Sequence, residues 1–215
     1  MIPVFETVLV DDGRIRLRDR HLERLARSGA SPEQVAAADA CFEEALLLTD
    51  PPFILRVDVD DDGVRPSTRP PRPAAPVELL IDRSYDPALD ARLVKAADRA
   101  WADAAEAAVG GEALLVSDDG LLGETTRASV LVHLADGTFA VPELRGILPG
   151  VTRAWAIEET GAMERALHLD DLRTVRGAVL TTAGRGIVPI ASVEGVCIAR
   201  SIELDLLAET WRRLP

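Results

Sequence analysis

The sequence predicts a mixed α/β fold of the α+β kind, large enough for one sizeable domain or two small ones. Short strand-like apolar runs alternate with segments of helical periodicity along the whole chain. The 215 residues are 47% hydrophobic with a mean hydropathy of +0.09, which is typical of a globular protein with a well-buried core. No apolar run reaches the roughly 18 residues that cross a bilayer, and the first residues form no signal peptide. We therefore expect a cytoplasmic protein.

Turn and capping residues predict a β-hairpin and two helices at the start of the chain. Residues 4–10 and 14–17 flank Asp11-Asp12-Gly13, a turn sequence that predicts a β-hairpin. A helix follows, with Asp19 as its expected cap. A second helix is expected to begin at Ser31-Pro32, with serine as the cap and proline in the first turn, and to run toward Leu48.

Strands are predicted at 53–59 and 77–81, separated by a turn and by five prolines between Pro66 and Pro76. We interpret this proline-rich segment as a mobile loop, because a strand-like run resumes directly after it. The predicted domains are then 1–82 and 88–215. The second half is expected to contain helices at about 90–108, 150–161 and 201–212, and strands at 113–117, 129–134, 138–141, 178–182, 187–190 and 196–199.

Lys95 is the only lysine, whereas the chain has 23 arginines. Arginine replaces lysine wherever a permanent charge is sufficient, but it cannot replace an amine that must lose its proton and attack a carbonyl. Lys95 is therefore a candidate for a Schiff base. The chain also has no asparagine and a single glutamine, as expected of a GC-rich coding sequence, so compositional drift is the alternative explanation.

Charge and cysteine content exclude several classes of site. The net charge of −12 and the absence of a basic run disfavour a nucleic-acid surface. Cys41 and Cys197 lie far apart without a CxxC pattern or a flanking histidine cluster, so neither a disulfide framework nor a metal site is expected. Both thiols are expected to be at least partly buried.

The segment from Gly146 to Arg153 has the pattern of a phosphate site. Its glycines and proline form a turn directly before a predicted helix, whose first amides lack internal partners and whose dipole favours an anion. Val151 and Thr152 are the expected donors. A helix that begins in this way is also common for purely structural reasons.

These features come together in a resemblance. The chain resembles the fold-type IV pyridoxal-phosphate enzymes, which include the class IV aminotransferases and the 4-amino-4-deoxychorismate lyases. The matching landmarks occur in the family's order: Phe5-Glu6-Thr7, His21-Leu22-Glu23-Arg24-Leu25, Lys95 with Arg99, Gly123-Glu124-Thr125-Thr126, and the run from Gly146 to Arg153. The resemblance implies two α/β domains with pyridoxal 5'-phosphate at their interface, usually in a homodimer.

The resemblance also implies roles for individual residues. Lys95 matches the lysine that bonds to the cofactor and transfers protons, and Glu124 matches the glutamate that faces the pyridine nitrogen. Arg24 matches the arginine that binds the phosphate, together with Val151 and Thr152. The aminotransferases commonly carry a phosphate-binding threonine six residues before a proline. In this chain Ala183 stands six residues before Pro189 and Thr182 stands one position earlier, so Thr182 is the candidate for this phosphate contact.

Several positions depart from the family pattern, and others indicate a branch. Ser129 stands where asparagine is frequent, and Ala96-Ala97 stand where threonines often follow the lysine. The short start before Phe5, the residues 163–165 and 170–172, and Arg185-Gly186 look like the lyase branch, with Arg185 available for a substrate carboxylate. The expected reaction is conversion of 4-amino-4-deoxychorismate to 4-aminobenzoate and pyruvate. A branched-chain or D-amino-acid aminotransferase and a non-catalytic family member are the alternatives.

Overall fold

The computed structural model describes residues 2–48, 51–89 and 93–215, which form two β-sheets with helices packed against them. The smaller sheet is antiparallel with the strand order β2-β1-β3-β4. Its strands are β1 (Val4–Asp11), β2 (Arg14–Ile15), β3 (Phe53–Asp60) and β4 (Gly63–Arg69). The β1-β2 hairpin and β3 confirm the sequence prediction.

Helices α1 (Arg18–Arg27) and α2 (Pro32–Leu46) pack against this sheet. Helix α2 begins as predicted, because the Ser31 hydroxyl accepts a hydrogen bond from the Gln34 backbone amide and the Gln34 side-chain oxygen accepts one from the Ser31 backbone amide. The prediction for α1 was wrong in detail. Its cap is Leu17 in a left-handed conformation, and Asp19 lies inside the first turn, where the helix dipole favours a carboxylate.

The larger sheet has nine strands in the order β10-β9-β8-β11-β12-β5-β6-β7, with β13 paired to β12. Helices α3 (Ala100–Val109), α4 (Val151–Thr160) and α5 (Ile202–Arg213) pack around it. Its strands are β5 (Val77–Asp82), β6 (Ala113–Val116), β7 (Leu122–Thr125), β8 (Ser129–His133), β9 (Phe139–Pro142), β10 (Met163–Arg165), β11 (Gly177–Thr182), β12 (Gly186–Val193) and β13 (Val196–Cys197).

Strand β5 lies within the predicted N-terminal domain, 1–82, and pairs in parallel with β12 and β6 of the larger sheet. The chain therefore passes from one sheet to the other between Arg69 and Val77, within the segment interpreted as a loop. Part of that segment is strand β4, which the sequence reading missed because Pro66 is a poor strand residue except at a sheet edge, where β4 lies.

The predicted helix from 90 to 108 is also shorter than expected. Residues 90–92 lie outside the described part of the chain, and α3 begins only at Ala100. Lys95 therefore lies in an irregular segment before the helix, beside β1. The sequence reading further missed β7, β10 and a short 3₁₀ helix at Leu169–Arg173. Cys197 is exposed, so its predicted burial was wrong, whereas Cys41 is half-buried.

Separate hydrophobic cores lie under the two sheets. One contains side chains of β1, β3, α1 and α2 around the fully buried Phe42, and another contains side chains of the central strands of the larger sheet. None of the helices in the described ranges combines the length and the apolar character needed to cross a bilayer.

Candidate active site

A cavity of about 780 Å³ opens between the two sheets, a volume within the usual range of ligand sites. Side chains of β1 and β3 form one wall, and residues of β7, β8 and β11 form the other. The cavity brings together six of the seven predicted site residues: Arg24, Lys95, Glu124, Thr152, Thr182 and Arg185. The side chain of Val151 is buried outside this lining, so Val151 can contribute only its backbone amide.

The backbone of β1 fixes the position of Lys95. The Phe5 amide donates to the carbonyl oxygen of Lys95 at 3.1 Å, and the Ala97 amide donates to that of Pro3 at 2.8 Å. The Lys95 side chain is 13% exposed, and its Nζ lies 5.0 Å from the centroid of the Phe5 ring. Burial, with a smaller contribution from the positive charge of Arg24, lowers the pKa of Lys95 to about 7. A neutral, nucleophilic amine is therefore present near neutral pH.

A buried carboxylate, Glu6, organises the groups around Lys95. The Nε and Nη2 atoms of Arg24 donate to its two oxygens, each at 2.7 Å, and Nδ1 of His21 lies 2.8 Å from Oε2. Nζ of Lys95 lies 3.8 Å from the same Oε2 atom. Glu6 and His21 are at most 1% exposed and Arg24 is 4% exposed, so this cluster is shielded from water. A bidentate pair of this kind holds the Arg24 guanidinium in one orientation.

The charges in this cluster determine its protonation. Burial alone would raise the pKa of Glu6, but the positive charges of Lys95 and Arg24 and the hydrogen bonds from Arg24 and His21 hold it well below its usual range. Burial lowers the pKa of His21 although Glu6 opposes this effect, so the neutral imidazole donates its Nδ1 proton to Glu6. Glu6 is thus a permanent anion at neutral pH.

Sequence reasoning named Glu6 and His21 only as family landmarks and assigned them no role. A signal was nevertheless present, because Glu6 shares the inward face of β1 with Val4, Val8 and Val10. A charged residue on an apolar strand face requires a buried partner. His21 and Arg24 are three positions apart on α1, which places them on the same helical face.

The start of α4 forms the predicted anion site. The helix begins at Val151 after Gly150, and no side chain caps its first turn. The Thr152 hydroxyl is buried without a hydrogen-bond partner in the described part of the chain, which is unusual for a buried polar group. A Cβ atom at position 150 would lie 3.2 Å from Ser129 Oγ, so the glycine leaves space beside Ser129 at the start of the helix. The site has donors in place for an anion.

Glu124 lies on β7, in the cavity wall that faces β1 and β3. Its side chain is buried, and Oε1 accepts a hydrogen bond from the Leu148 amide at 3.1 Å. This bond ties the carboxylate to the turn that precedes α4. The strand and the turn therefore fix Glu124 relative to the anion site.

Thr182 and Arg185 lie at the end of β11 and just after it. Arg185 had been expected to be available to a substrate carboxylate. However, its Nη2 donates to both oxygens of Glu112, each at 2.8 Å, and both side chains are only 9% exposed. Glu112 therefore neutralises Arg185 in this arrangement, which the sequence did not indicate because the two residues are 73 positions apart.

Comparison with protein-family profiles identifies residues 64–193, more than half of the chain, as "amino-transferase class IV". The chain belongs to this family. The family consists of pyridoxal 5'-phosphate enzymes, so the predicted family, enzyme class and cofactor are confirmed. No curated protein sequence matches the chain.

Solved structures of class IV proteins have the same fold. A hypothetical aminotransferase from Mycobacterium tuberculosis in its pyridoxal-phosphate-bound form superimposes with a TM-score of 0.83 at 23% identity, over 98% of this chain and 87% of the other. A provisionally named 4-amino-4-deoxychorismate lyase from Legionella pneumophila gives 0.81 at 21%, over 99% and 91%. A provisionally named amino-acid aminotransferase from Mesorhizobium loti gives 0.77 at 28%, over 89% and 99%. The predicted fold class is confirmed.

The residues of this class IV protein fit the cofactor. Pyridoxal phosphate requires an amine for its aldehyde, donors for its phosphate and an acid for its ring nitrogen. The cavity provides the Lys95 amine, the fixed Arg24 guanidinium with the unpartnered Thr152 hydroxyl, and the buried Glu124 carboxylate. The unpartnered hydroxyl is the most direct indication, because a phosphate oxygen would give it the hydrogen bond that it lacks.

Proposed function

We propose that the protein is a lyase that converts 4-amino-4-deoxychorismate to 4-aminobenzoate and pyruvate. The charge of the cavity carries the proposal. The described residues that line it include eight basic side chains and three acidic ones, although the chain as a whole has 36 acidic and 24 basic residues. Four of the basic side chains are paired with carboxylates outside the lining, and Arg69, Arg72 and Arg99 make no ion pair with a described residue. A basic cavity in an acidic protein attracts anionic substrates and raises their local concentration. The proposed substrate carries two carboxylates.

The residues have distinct proposed roles. When bound, the cofactor supplies an electron sink for the pair released as a proton leaves the substrate carbon. Arg24, held by Glu6, and Thr152 bind the phosphate, with the Val151 amide and Thr182 beside it. Glu124 keeps a proton on the ring nitrogen. The Lys95 amine, with a pKa of about 7, holds the cofactor and then accepts the substrate proton.

The aminotransferase alternative uses the same residues for the same first proton transfer. Its support is the set of similar structures named as aminotransferases, including the one from Mesorhizobium loti. The cavity wall also offers three large apolar side chains to a branched-chain substrate, namely Phe5, Ile54 and Leu148. A non-catalytic role is disfavoured by the burial and low pKa of Lys95. The homodimer stays a prediction from the resemblance, and the cytoplasmic location stays a prediction from the sequence.

Two assays on the purified holoenzyme separate these functions. Pyruvate release from 4-amino-4-deoxychorismate is followed with lactate dehydrogenase, and keto-acid formation is measured with a panel of branched-chain and D-amino acids. We expect pyruvate and 4-aminobenzoate in equal amounts, and neither product from Lys95→Arg. Keto-acid formation without pyruvate release would assign the protein to the aminotransferases. Inactivity in both assays by an enzyme that binds the cofactor would contradict both proposals.

A further inference from the structure

The arginines of the cavity fall into two groups. Seven arginines line it, and five of them have partners in the described structure. These pairs are Arg24 with Glu6, Arg56 with Asp58, Arg99 with the carbonyl oxygen of Thr126, Arg127 with Glu106, and Arg185 with Glu112. The two others, Arg69 and Arg72, make no ion pair or hydrogen bond with any described residue, and both are exposed.

Arg69 and Arg72 belong to a positively charged part of the cavity rim. Partial desolvation and the nearby positive charges of Arg72, Arg127 and Arg56 lower the pKa of Arg69, although most of its side chain is exposed. An arginine stays protonated even so, because its intrinsic pKa is very high. Arg56 and Arg127 are paired with Asp58 and Glu106, and the Glu106 carboxylate also interacts with Arg72 at longer range. A bound anion would further offset the repulsion between Arg69 and Arg72.

The backbone holds these two arginines in place. Arg69 is the last residue of β4, where it pairs with Ile54 of β3, and Ile54 itself lines the cavity. Arg72 follows Pro70-Pro71 in the segment that leads to the larger sheet. Proline fixes φ near −65°, so this segment loses little conformational freedom when it binds a ligand. The proline-rich segment thus presents two unpaired guanidinium groups at the cavity with little backbone freedom.

We infer that Arg69 and Arg72 form a second anion site, which receives the carboxylate of the substrate that lies farther from the reacting amine. The inference rests on the proposed function and extends it from one substrate to a class, namely amines that carry two carboxylates. The planar guanidinium suits a carboxylate because it donates two parallel hydrogen bonds. In this arrangement the phosphate is bound by Arg24 and Thr152, and Arg185 remains with Glu112.

Binding of two simple probes to the holoenzyme tests the site without catalysis. Benzamide and benzoate have nearly the same shape but differ by one negative charge, and their dissociation constants are measured by calorimetry at low and moderate salt. We expect benzoate to bind about tenfold or more tightly, the factor expected of one charge-assisted pair. In the Arg69→Gln/Arg72→Gln double variant this ratio falls to near one, while benzamide binding is unchanged. The preference of the wild type also decreases with salt.

Arg65→Gln is the matched control. Arg65 lies on the same strand, donates to Asp60 at 2.9 Å and is outside the cavity lining, so this variant keeps the wild-type ratio. A double variant that retains the wild-type ratio, a wild type that does not prefer benzoate, or equal weakening of both probes would overturn the inference. Pyruvate release separates the two proposals. An inactive enzyme with the expected ratios refutes the lyase and leaves the site, whereas an active lyase with unchanged ratios refutes the site alone.

Discussion

The ionisation of Lys95 is the most direct test of the site. The structure places this amine in a buried position beside Arg24 and gives it a pKa of about 7 instead of the ordinary 10.5. Because Lys95 is the only lysine, selective ¹³C labelling of lysine gives a signal from this residue alone. We expect its Cε resonance in the apoprotein to titrate with a midpoint near pH 7.

The size of the effect on ionisation follows from the ordinary and the lowered pKa of Lys95. The difference between 10.5 and about 7 corresponds to about 5 kcal/mol that favours the neutral amine. At pH 7 about half of the molecules then carry a neutral Lys95, whereas an ordinary lysine would be neutral in about one molecule in 3,000. The nucleophilic form is therefore more abundant by about three orders of magnitude.

The lowered pKa of Lys95 destabilises the folded protein at low pH. The folded state binds the Lys95 proton more weakly than the unfolded state, so this loss of stability is complete below pH 7 and disappears as the pH rises from 7 to 10.5. Lys95→Met should therefore raise the free energy of unfolding of the apoprotein at pH 6 by up to about 5 kcal/mol, and by much less at pH 10. Urea denaturation at the two pH values measures the difference.

Two substitutions in α1 separate the contributions to the lowered pKa of Lys95. Arg24→Met removes the second-largest contribution to the shift, so the midpoint should move well above 7. Arg20→Met is the control, because Arg20 is paired with Glu158 at the surface and should leave the titration unchanged. A wild-type midpoint near 10.5 would refute the reasoning, since it would mean that Lys95 is solvated and no more reactive than any surface lysine.

Three further variants test the phosphate site, the ring-nitrogen acid and the packing. Thr152→Val replaces a buried hydroxyl that has no partner in the described part of the chain, so it should leave the apoprotein as stable or more stable. It should raise the dissociation constant for pyridoxal phosphate about tenfold or more, by about 1.5–3 kcal/mol for a hydrogen bond to a charged group, and unchanged affinity would exclude the hydroxyl from the phosphate site. Glu124→Gln should still bind the cofactor, as judged by absorbance, but turn over about 10²-fold more slowly, and normal turnover would direct the search to another acid. Gly186→Ala should lower the free energy of unfolding by about 2–4 kcal/mol, because φ is +76° and the new Cβ would overlap the Trp211 ring. Gly195→Ala, also at positive φ but with open space around it, should lower it by only about 1–2 kcal/mol, and equal losses would contradict the clash.

Local signals in the sequence determined much of the fold. Turn and cap residues act over a few positions, so the Asp11-Asp12-Gly13 hairpin, the Ser31 capping box and the start of α4 at Gly150 were predictable from neighbours alone. The requirement for a neutral amine likewise pointed to Lys95 from composition, and the cavity contains it as predicted. These predictions depended on short-range chemistry and on the order of motifs.

Only the tertiary structure decided how distant residues pair. The sequence could not assign β5 to the larger sheet, because parallel pairing with β12 joins segments about 110 positions apart. It could not show that Glu112 forms an ion pair with Arg185 or that Glu6 orients Arg24, because these contacts form only when separate elements pack together. For the same reason the proline-rich segment appeared to be only a loop. Charge pairing over long sequence distances depends on the fold, and it determines which of the 23 arginines are free to bind an anion.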